Sequence, residues 1–266
     1  DSQQFSSDAD DMRFFGSVGV RLSSQFAHID NSAENELLDI HRMRHVVEPY
    51  MTLWAAYSNV SPADLPIYDQ SVEPLAQGEA IEMGFLNTWQ TYRGGAGEWN
   101  SVDVFTLDTA VVFTSTEEQG SPTPQFFDYR PEYSQFGNHV RARGIWLFSD
   151  SLAFSGEGIY DINDELIARG SIGTELRHTP LLTTFIEYRF IDASHNELLD
   201  IGWKYQLTPK YQVAVGPQWD FQADDLRSLN FKLTRTFPDF EFTLGVNYDQ
   251  IRDDTSVGAS LNVAEF

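Results

Sequence analysis

The chain has 266 residues, with 40 acidic and 17 basic side chains and a formal net charge of -23 at pH 7. This acidic balance argues against a nucleic-acid partner, which would require clustered Lys and Arg. The sequence contains no cysteine, which excludes disulfides, thiolate metal sites and cysteine nucleophiles. Mean hydropathy is -0.34, and no run reaches the ~18 consecutive apolar residues of a transmembrane helix.

Alternation of apolar and polar residues predicts about thirteen β-strands along the chain. The pattern is clearest in residues 211–221, where strict alternation runs from Tyr211 to Phe221. That length is unusual for a globular protein but suits a tilted strand that crosses a membrane. Pro217 falls mid-strand, where we expect a bulge. The predicted strands are 14–28, 45–58, 80–92, 101–114, 138–148, 153–161, 167–177, 182–191, 199–207, 211–221, 229–234, 240–249 and 256–263.

The two faces of the C-terminal strands differ in composition. One face is apolar and carries aromatic residues near the strand ends, as the girdles of a membrane barrel do. The other face holds Gly, Thr, Ser, Asn and Gln with scattered charges of both signs, which indicates a water-filled lumen. A soluble sandwich would instead have a solvent face rich in Lys and Glu, and shorter strands. We therefore predict an all-β fold, an antiparallel up-and-down transmembrane β-barrel.

The predicted connections fall into two classes. Tight turns are expected at 149–151, 179–180, 208–210 and 238–239, and longer acidic loops at 161–165, 192–197, 222–226 and 251–254. Short turns at one end and longer loops at the other are typical of outer-membrane barrels. With the short turns on the periplasmic side, the connections 59–79 and 115–137 lie outside, whereas 29–44 is a long periplasmic exception. A count of about thirteen is odd, whereas bacterial single-chain barrels have even numbers of strands. Either the count is off or the chain is part of a larger barrel, and we favour the larger barrel.

No catalytic motif is present in the sequence. It lacks Gly-x-Ser-x-Gly, His-Glu-x-x-His, the phosphate-binding Gly-x-x-x-x-Gly-Lys and the dinucleotide-binding glycine set. The acidic loops have oxygen ligands that suit Ca²⁺ or Mg²⁺, but their spacing resembles no EF-hand loop, so we interpret them as solvated charge. We expect no enzyme activity, no cofactor and no metal. The six histidines, interpreted as polar residues of loops and strand ends, are at positions 28, 41, 45, 139, 178 and 195.

The least generic stretch of the chain is Arg44-His45-Val-Val-Glu48-Pro49-Tyr50. It combines a basic pair, a glutamate and a proline where a strand is predicted to begin, a position at which the missing proline N–H costs least. The segment resembles the Arg-His-x-x-Glu-Pro segment of the lipopolysaccharide-assembly outer-membrane protein family, LptD or organic solvent tolerance protein. Residues 66–69, 84–94 and 102–107 are also similar to that family.

This resemblance implies that residues 1–266 are the C-terminal part of an outer-membrane barrel whose periplasmic domain and first strands are absent. It places the protein in the outer membrane of a Gram-negative (diderm) bacterium, where it would export lipopolysaccharide through the lumen and a lateral gate. The implied partners are lipopolysaccharide, an LptE-like plug lipoprotein inside the barrel and the periplasmic Lpt bridge components. The usual cysteines of the family are missing, which argues against disulfide-controlled maturation.

The last predicted strand carries two further expectations. In the family, lipid enters between the first and last barrel strands, and small side chains pack weakly with a partner strand. We therefore predict a gate strand with Ser256, Gly258, Ser260 and Asn262 facing inward. The end of the chain also resembles the C-terminal signal that the barrel-assembly machinery reads; its expected positions are Gly258, Leu261, Val263 and Phe266.

Two alternatives remain open. The first is a general diffusion porin, in which inward-facing charges set ion selectivity. The second is a soluble β-sandwich binding module, which would not need detergent. The charges assigned to the porin lumen are Lys204, Lys232, Glu187, Arg189 and Asp220.

Overall fold

The computed structural model describes residues 14–59, 78–95, 97–115, 137–192, 195–250 and 253–263. Fourteen strands make up one antiparallel sheet in this part of the chain. They are β1 (Phe15–Ser23), β2 (Phe26–Asn35), β3 (Ile40–Ser58), β4 (Gly78–Arg93), β5 (Asn100–Thr114), β6 (His139–Leu147), β7 (Leu152–Asp161), β8 (Leu166–Thr179), β9 (Leu182–Ile191), β10 (Asn196–Thr208), β11 (Tyr211–Asp220), β12 (Asp225–Thr236), β13 (Phe240–Asp249) and β14 (Asp254–Val263).

The sheet has up-and-down topology, since from β3 onward each strand pairs with the next one in the chain. Strands β1 and β2 both pair with β3 in one continuous register, in which Ser23 is opposite Tyr50 and Phe26 is opposite Val47. The fourteen strands therefore occupy thirteen positions, and the predicted all-β, antiparallel up-and-down fold is confirmed. Among the described residues β1 does not pair with β14, so the sheet is not closed.

Pro49 explains the break between β1 and β2. The register places it opposite Ser24, whose N–H donates to the Pro49 carbonyl over 3.2 Å. The reciprocal bond is impossible because proline has no N–H. The prediction that Pro49 lies near the start of a strand is wrong, because β3 begins nine residues earlier, at Ile40. The proline is tolerated within a 19-residue strand because the bond it forfeits would join β3 to the strand at the edge of the sheet.

The two faces of the sheet have the predicted chemical difference. In the pair β12–β13, the register places Leu229, Phe231 and Leu233 on one face, whereas Asn230 and Lys232 are on the other. Large apolar side chains of the first face are exposed along the whole sheet, so this face has the composition that contact with lipid requires. Examples from successive strands are Val20, Leu53, Phe85, Phe113, Trp146, Phe154, Ile172, Ile186, Trp203, Leu229, Leu244 and Leu261. These two surfaces are called the apolar face and the polar face below.

The turns at one end of the sheet are tight, and their side chains cap them. Thr179 Oγ1 accepts from the backbone N–H groups of Leu181 and Leu182 over 3.2 and 3.1 Å. Thr208 Oγ1 does the same for Lys210 and Tyr211. Each threonine precedes a proline, which presets the backbone for the second residue of a tight turn. This end of the sheet, called the short-turn end below, also contains the connections 36–39, 94–99, 148–151 and 237–239.

At the opposite end, the described connections 162–165 and 221–224 are four-residue turns. They are longer than the two-residue turns 180–181 and 209–210, but no longer than 36–39 or 148–151, so the predicted contrast holds only for these hairpins of the C-terminal half. Asp161 and Asp220 each accept two backbone N–H bonds at the start of such a turn. The turns end on residues with positive φ, among them Glu165 at 56° and Asp224 at 52°. The long connections 60–77 and 116–136 lie outside the described residues.

Two local predictions are corrected. The segment 29–44 is no long loop, because β2 runs to Asn35, β3 starts at Ile40, and a tight turn joins them. Pro217 itself is in register on both sides: toward β10 the ladder stops at Asp200–Gln218 and resumes in the same register at Trp203–Val215, and toward β12 the register shifts one residue further on, between Gln218 and Trp219. Proline removes a ladder bond there without shifting the register.

No helix in the described part of the chain is long and apolar enough to cross a membrane.

Candidate functional site

The polar face carries a cluster of charged and polar side chains from four consecutive strands. Tyr50 of β3, Glu82 of β4, Asp108 of β5 and Arg141 of β6 meet there, and Glu82 is only 2% exposed. The Arg141 guanidinium donates through Nη1 to Asp108 Oδ2 over 3.1 Å and through Nε to Glu82 Oε1 over 3.1 Å. One arginine thus pairs with both carboxylates, so neither the buried Glu82 nor the half-buried Asp108 is left without a partner.

The Tyr50 hydroxyl completes this cluster. It donates to Asp108 Oδ1 over 2.8 Å and accepts from Arg141 Nη2 over 3.0 Å. Its ring lies above Gly84, where a Cβ would come within 2.6 Å of the Tyr50 Cζ and hydroxyl atoms and 2.7 Å of the Thr109 carbonyl oxygen. The Arg21 guanidinium covers the other side of the ring at 4.1 Å from its centroid, a favourable cation–π distance. We refer to Arg21, Tyr50, Glu82, Asp108 and Arg141 as the lumen cluster.

Further ion pairs continue across the polar face. Arg169 of β8 pairs with Glu157 of β7 over 3.2 Å. Arg189 of β9 pairs with Glu187 over 3.3 Å and with Asp200 of β10 over 3.8 Å. The groups of the Arg189 pairs are partly exposed, so these pairs add little stability, whereas the Arg169 side chain is buried. Together they make a wet, charged surface of the kind that lines a pore.

The charges predicted to face the lumen do lie on the polar face. Lys204 of β10 is opposite Ala214 of β11, which is opposite Lys232 of β12. The two lysines therefore share a face, with β11 between them. Asp220 also lies there, 3.7 Å from Arg227. Neither lysine has a hydrogen bond or ion pair within the described part of the chain. Both side chains are exposed.

The residues of the Arg44–Tyr50 stretch divide between the two faces. Arg44 donates to Gln90 over 3.1 Å on the polar face, where Tyr50 and Glu48 also lie. His45 and Pro49 are on the apolar face, and the His45 ring stacks on Trp89 with centroids 4.3 Å apart. The structure does not gather the five motif residues into one site; only Tyr50 belongs to the lumen cluster. Both His41 and His45 are within β3, so neither is the strand-opening residue that the sequence suggested.

Arg93, at the end of β4, holds the short-turn end together. Its side chain is buried, and Nη2 donates to the backbone carbonyls of Leu38, Leu147 and Phe148 over 3.3, 2.8 and 3.2 Å. These carbonyls belong to the β2–β3 turn and to the end of β6. One guanidinium therefore ties two turns to the β4–β5 connection.

The last strand has the predicted small side chains on the polar face. Ser256, Gly258, Ser260 and Asn262 are opposite Asn247, Gly245, Thr243 and Glu241 of β13. Along its other side β14 pairs with no described strand. A gate role for this strand and the assembly signal at Leu261 and Val263 stay predictions, and Phe266 lies outside the described residues.

Sequence reasoning missed most of the lumen cluster. Glu82, Asp108 and Arg141 carry no motif, and their strands alternate less regularly than the C-terminal ones. The signal that could have revealed them is the alternation of side chains along each strand. In a paired sheet, opposite charges at inward-facing positions of adjacent strands are expected to meet. No group of three or more His, Asp or Glu side chains within the described ranges is placed to hold a metal ion.

Comparison with known proteins gives similarity of structure but not of sequence. No protein-family model matches the chain, and no curated protein matches it. A solved structure of a mutant of Rh. blastica porin has 8% identity and a TM-score of 0.47, covering 95% of this chain and 100% of that chain. A second mutant of the same porin has 8% identity and a TM-score of 0.46, covering 95% of this chain and 99% of that one. A structure described as "Asymmetric conductivity of engineered proteins" has 8% identity and a TM-score of 0.45 over 95% and 99% of the two chains.

Proposed function

We propose that this chain forms the wall of an outer-membrane β-barrel channel in a Gram-negative bacterium, through which small polar solutes and ions pass. The channel is not an enzyme. The observation that carries the proposal is the division between the faces, with large apolar side chains exposed on one and cross-strand ion pairs on the other. In lipid this arrangement places the apolar face against acyl chains and the polar face against water.

The charge of the chain favours cations as the permeant ions. The net charge of -23 creates a negative potential around the pathway, which concentrates counter-ions in a cleft of low dielectric constant. Lys204 and Lys232 oppose that potential locally, since both lie on the polar face. Their removal therefore increases the preference for cations.

Planar-bilayer recording tests this function. The wild-type protein is expected to give ohmic, cation-selective conductance, and the double substitution Lys204→Glu with Lys232→Glu to shift the reversal potential further toward that of the cation. Lys210→Glu is the matched control, because Lys210 lies in the β10–β11 turn, outside the sheet. No conductance from correctly folded protein would contradict the channel, and an equal shift with Lys210→Glu would contradict the assignment of the two lysines.

Export of lipopolysaccharide is the second candidate function. It is supported by the similarity of residues 44–50 and 84–94 to the lipopolysaccharide-assembly family, and by the small side chains along β14. In this case the chain would be one part of a larger barrel, and lipid would leave between β14 and the first strand of that barrel. The implied partners are lipopolysaccharide, a plug lipoprotein inside the lumen and periplasmic bridge proteins; the barrel-assembly machinery would insert the chain.

Depletion of the protein in cells distinguishes the two candidates. For the export function, depletion is expected to reduce surface display of lipopolysaccharide, and a cross-link between β14 and the first strand of the barrel is expected to have the same effect. Normal surface display after depletion, together with conductance in bilayers, would leave the channel as the function. Unchanged export after the cross-link would contradict the gate.

A further inference from the structure

Three exposed basic side chains form one row across the polar face of the C-terminal strands. Arg177 of β8 is opposite Thr183 of β9, which is opposite Lys204 of β10. Lys204 is in turn opposite Ala214 of β11, which is opposite Lys232 of β12. All three basic side chains are exposed. We refer to Arg177, Lys204 and Lys232 as the basic row.

The spacing of the basic row leaves two positions at which one anionic group can contact two cations. Neighbouring strands lie about 4.8 Å apart, so successive members of the row, on every second strand, are about 10 Å apart. The residue between Arg177 and Lys204 is Thr183, and the residue between Lys204 and Lys232 is Ala214. Both are small, and the long basic side chains can reach over them from either side. Lys204 contributes to both positions.

The surroundings of the basic row leave its charges available to a solute. Arg177 donates through Nε to Glu175 over 3.1 Å, but the two side chains are 63% and 44% exposed, so water screens their attraction. Within the described strands β8–β12, Glu175 is the one carboxylate of the polar face that lies within two residues of the row. On the side of the turns the neighbours are neutral groups that form hydrogen bonds, namely Gln206, Gln212 and Thr234.

The acidic side chains of these strands lie at another level of the polar face. Asp200 is four residues from Lys204 on β10 and is opposite Glu187 of β9. Asp249 and Asp254 are opposite each other in the same row of the register. This acidic level is about 14 Å from the basic row at about 3.4 Å per residue, which exceeds the Debye length of about 8 Å at physiological salt. The basic row therefore attracts anions locally, although the chain as a whole is acidic.

A phosphate group suits each of the two positions. It carries about 1.5 to 2 negative charges at pH 7 and three acceptor oxygens. It can therefore accept charge-assisted hydrogen bonds from the cations on both sides of it, in place of water. A solute with a phosphate at each end can occupy both positions at once, and its second contact is then intramolecular, which raises the overall affinity.

We infer that the basic row binds elongated organic bisphosphates, with one phosphate between Arg177 and Lys204 and the other between Lys204 and Lys232. The inference rests on the proposed channel function and names a class of solute for the same pathway. The row lies at most four residues from the ends of its strands at the short-turn end. The bound solute therefore occupies the lumen near that mouth and obstructs the current carried by cations.

Block of the single-channel current in planar bilayers tests the site. A hexose bisphosphate is added on both sides of the bilayer at low ionic strength, and the corresponding hexose monophosphate serves as the comparison. The measured quantity is the concentration that halves the current for the wild type, Lys204→Gln and Lys232→Gln. Lys210→Gln is the matched control, because Lys210 lies in the β10–β11 turn, outside the basic row.

The wild type is expected to be blocked by the bisphosphate at a concentration about tenfold lower than by the monophosphate. Lys204→Gln is expected to raise the half-blocking concentrations of both compounds by about tenfold, because each position loses a charged donor. Lys232→Gln leaves the position between Arg177 and Lys204 intact, so it is expected to weaken only the block by the bisphosphate. Lys210→Gln is expected to change neither value.

Equal block of the wild type by the two compounds would overturn the paired positions. Equal effects of Lys204→Gln and Lys210→Gln would also overturn them, because the block would then depend on net charge alone. Conductance that neither compound blocks overturns the basic row as a site and leaves the channel in place. The absence of conductance from folded protein overturns the channel and the site together.

Discussion

At the scale of single residues, the lumen cluster shows how charges are accommodated on the polar face. The Glu82 side chain is 3% exposed, whereas that of Arg141 is 26% exposed. The carboxylate depends on the guanidinium, because an uncompensated charge at such a position loses its hydration without replacement. Arg141 is therefore the residue on which the charge balance of β4, β5 and β6 depends.

Replacement of Arg141 is expected to be strongly destabilising. Arg141→Met leaves Glu82 and Asp108 without their shared partner, and the free energy of unfolding is expected to fall by about 3 kcal/mol. Urea titration in detergent micelles, monitored by tryptophan fluorescence, measures this loss in the free energy of unfolding. The double variant with Glu82→Gln is expected to lose less than the sum of the single losses, since the orphaned charge is removed.

Arg177→Met is the matched control for that prediction. Arg177 pairs with Glu175 over 3.1 Å, but its side chain is 63% exposed, so its loss is expected to change stability by less than about 0.5 kcal/mol. Similar losses for Arg141→Met and Arg177→Met would show that burial of the pair has no energetic consequence.

Gly84 gives a second prediction at this scale. In Gly84→Ala, the new methyl group meets the Tyr50 ring and the Thr109 carbonyl at 2.6 and 2.7 Å, and the carbonyl is backbone and cannot move aside. We expect a loss of about 2 kcal/mol, in the range of overpacked sites. Gly158→Ala is the control, because nothing lies within 4 Å of its added Cβ. Equal midpoints for both variants in thermal unfolding would refute the close packing of Tyr50 on Gly84.

At the scale of elements, turn chemistry accounts for the regular hairpins of the C-terminal half. Threonine and proline define the turns at 179–182 and 208–211, and aspartate opens those that begin after Asp161 and Asp220. These are local interactions, so they could be predicted from sequence. The strand predicted at 182–191 is confirmed at both ends, and the Thr179–Pro180 turn directly precedes it.

Asp224 is the last residue of a four-residue turn, and its backbone conformation gives a testable prediction. Its φ of 52° is accessible to glycine without steric cost and is strained for a β-branched residue. We expect Asp224→Gly to raise the free energy of unfolding by about 0.5 kcal/mol and Asp224→Val to lower it by about 2 kcal/mol. Urea midpoints in micelles measure both changes.

Asp254→Val provides the comparison for Asp224→Val. Asp254 is the first residue of β14 and has extended backbone, so the same substitution there is expected to change stability by less than about 0.5 kcal/mol. A larger loss at Asp254 than at Asp224 would contradict the role of the positive φ.

At the same scale, prediction failed where a residue acts through a distant strand. Pro49 suggested the start of a strand, because a proline costs least there. Its actual place in the middle of β3 depends on its missing N–H facing Ser24 at the sheet edge, and a sequence does not reveal which neighbour a backbone group faces. The register shift of β3 between His41 and Arg44 was missed for the same reason, since Thr91, whose hydroxyl bonds to this backbone, lies on β4.

At the scale of the whole molecule, the membrane orientation of the sheet can be tested residue by residue. The chain has no cysteine, so single cysteines can be introduced without a background. In proteoliposomes, a membrane-impermeant maleimide is expected to label Asn230→Cys and Lys232→Cys on the polar face and to leave Leu229→Cys and Phe231→Cys unlabelled. The physical reason is that successive side chains of a strand alternate between lumen and lipid. Uniform labelling at all four positions would indicate a soluble sheet.

The sequence by itself determined the all-β class, the antiparallel order, most strand limits and the chemical difference between the faces. Each of these follows from local rules, because alternation has a period of two residues and turns are encoded by the residues within them. Only the tertiary structure decided which charges meet. Glu82 and Arg141 are 59 residues apart in the chain, and their contact depends on the register of two strand pairs, β4–β5 and β5–β6. The same is true of Arg93, since the carbonyl groups that it bonds come from the β2–β3 turn and from the end of β6.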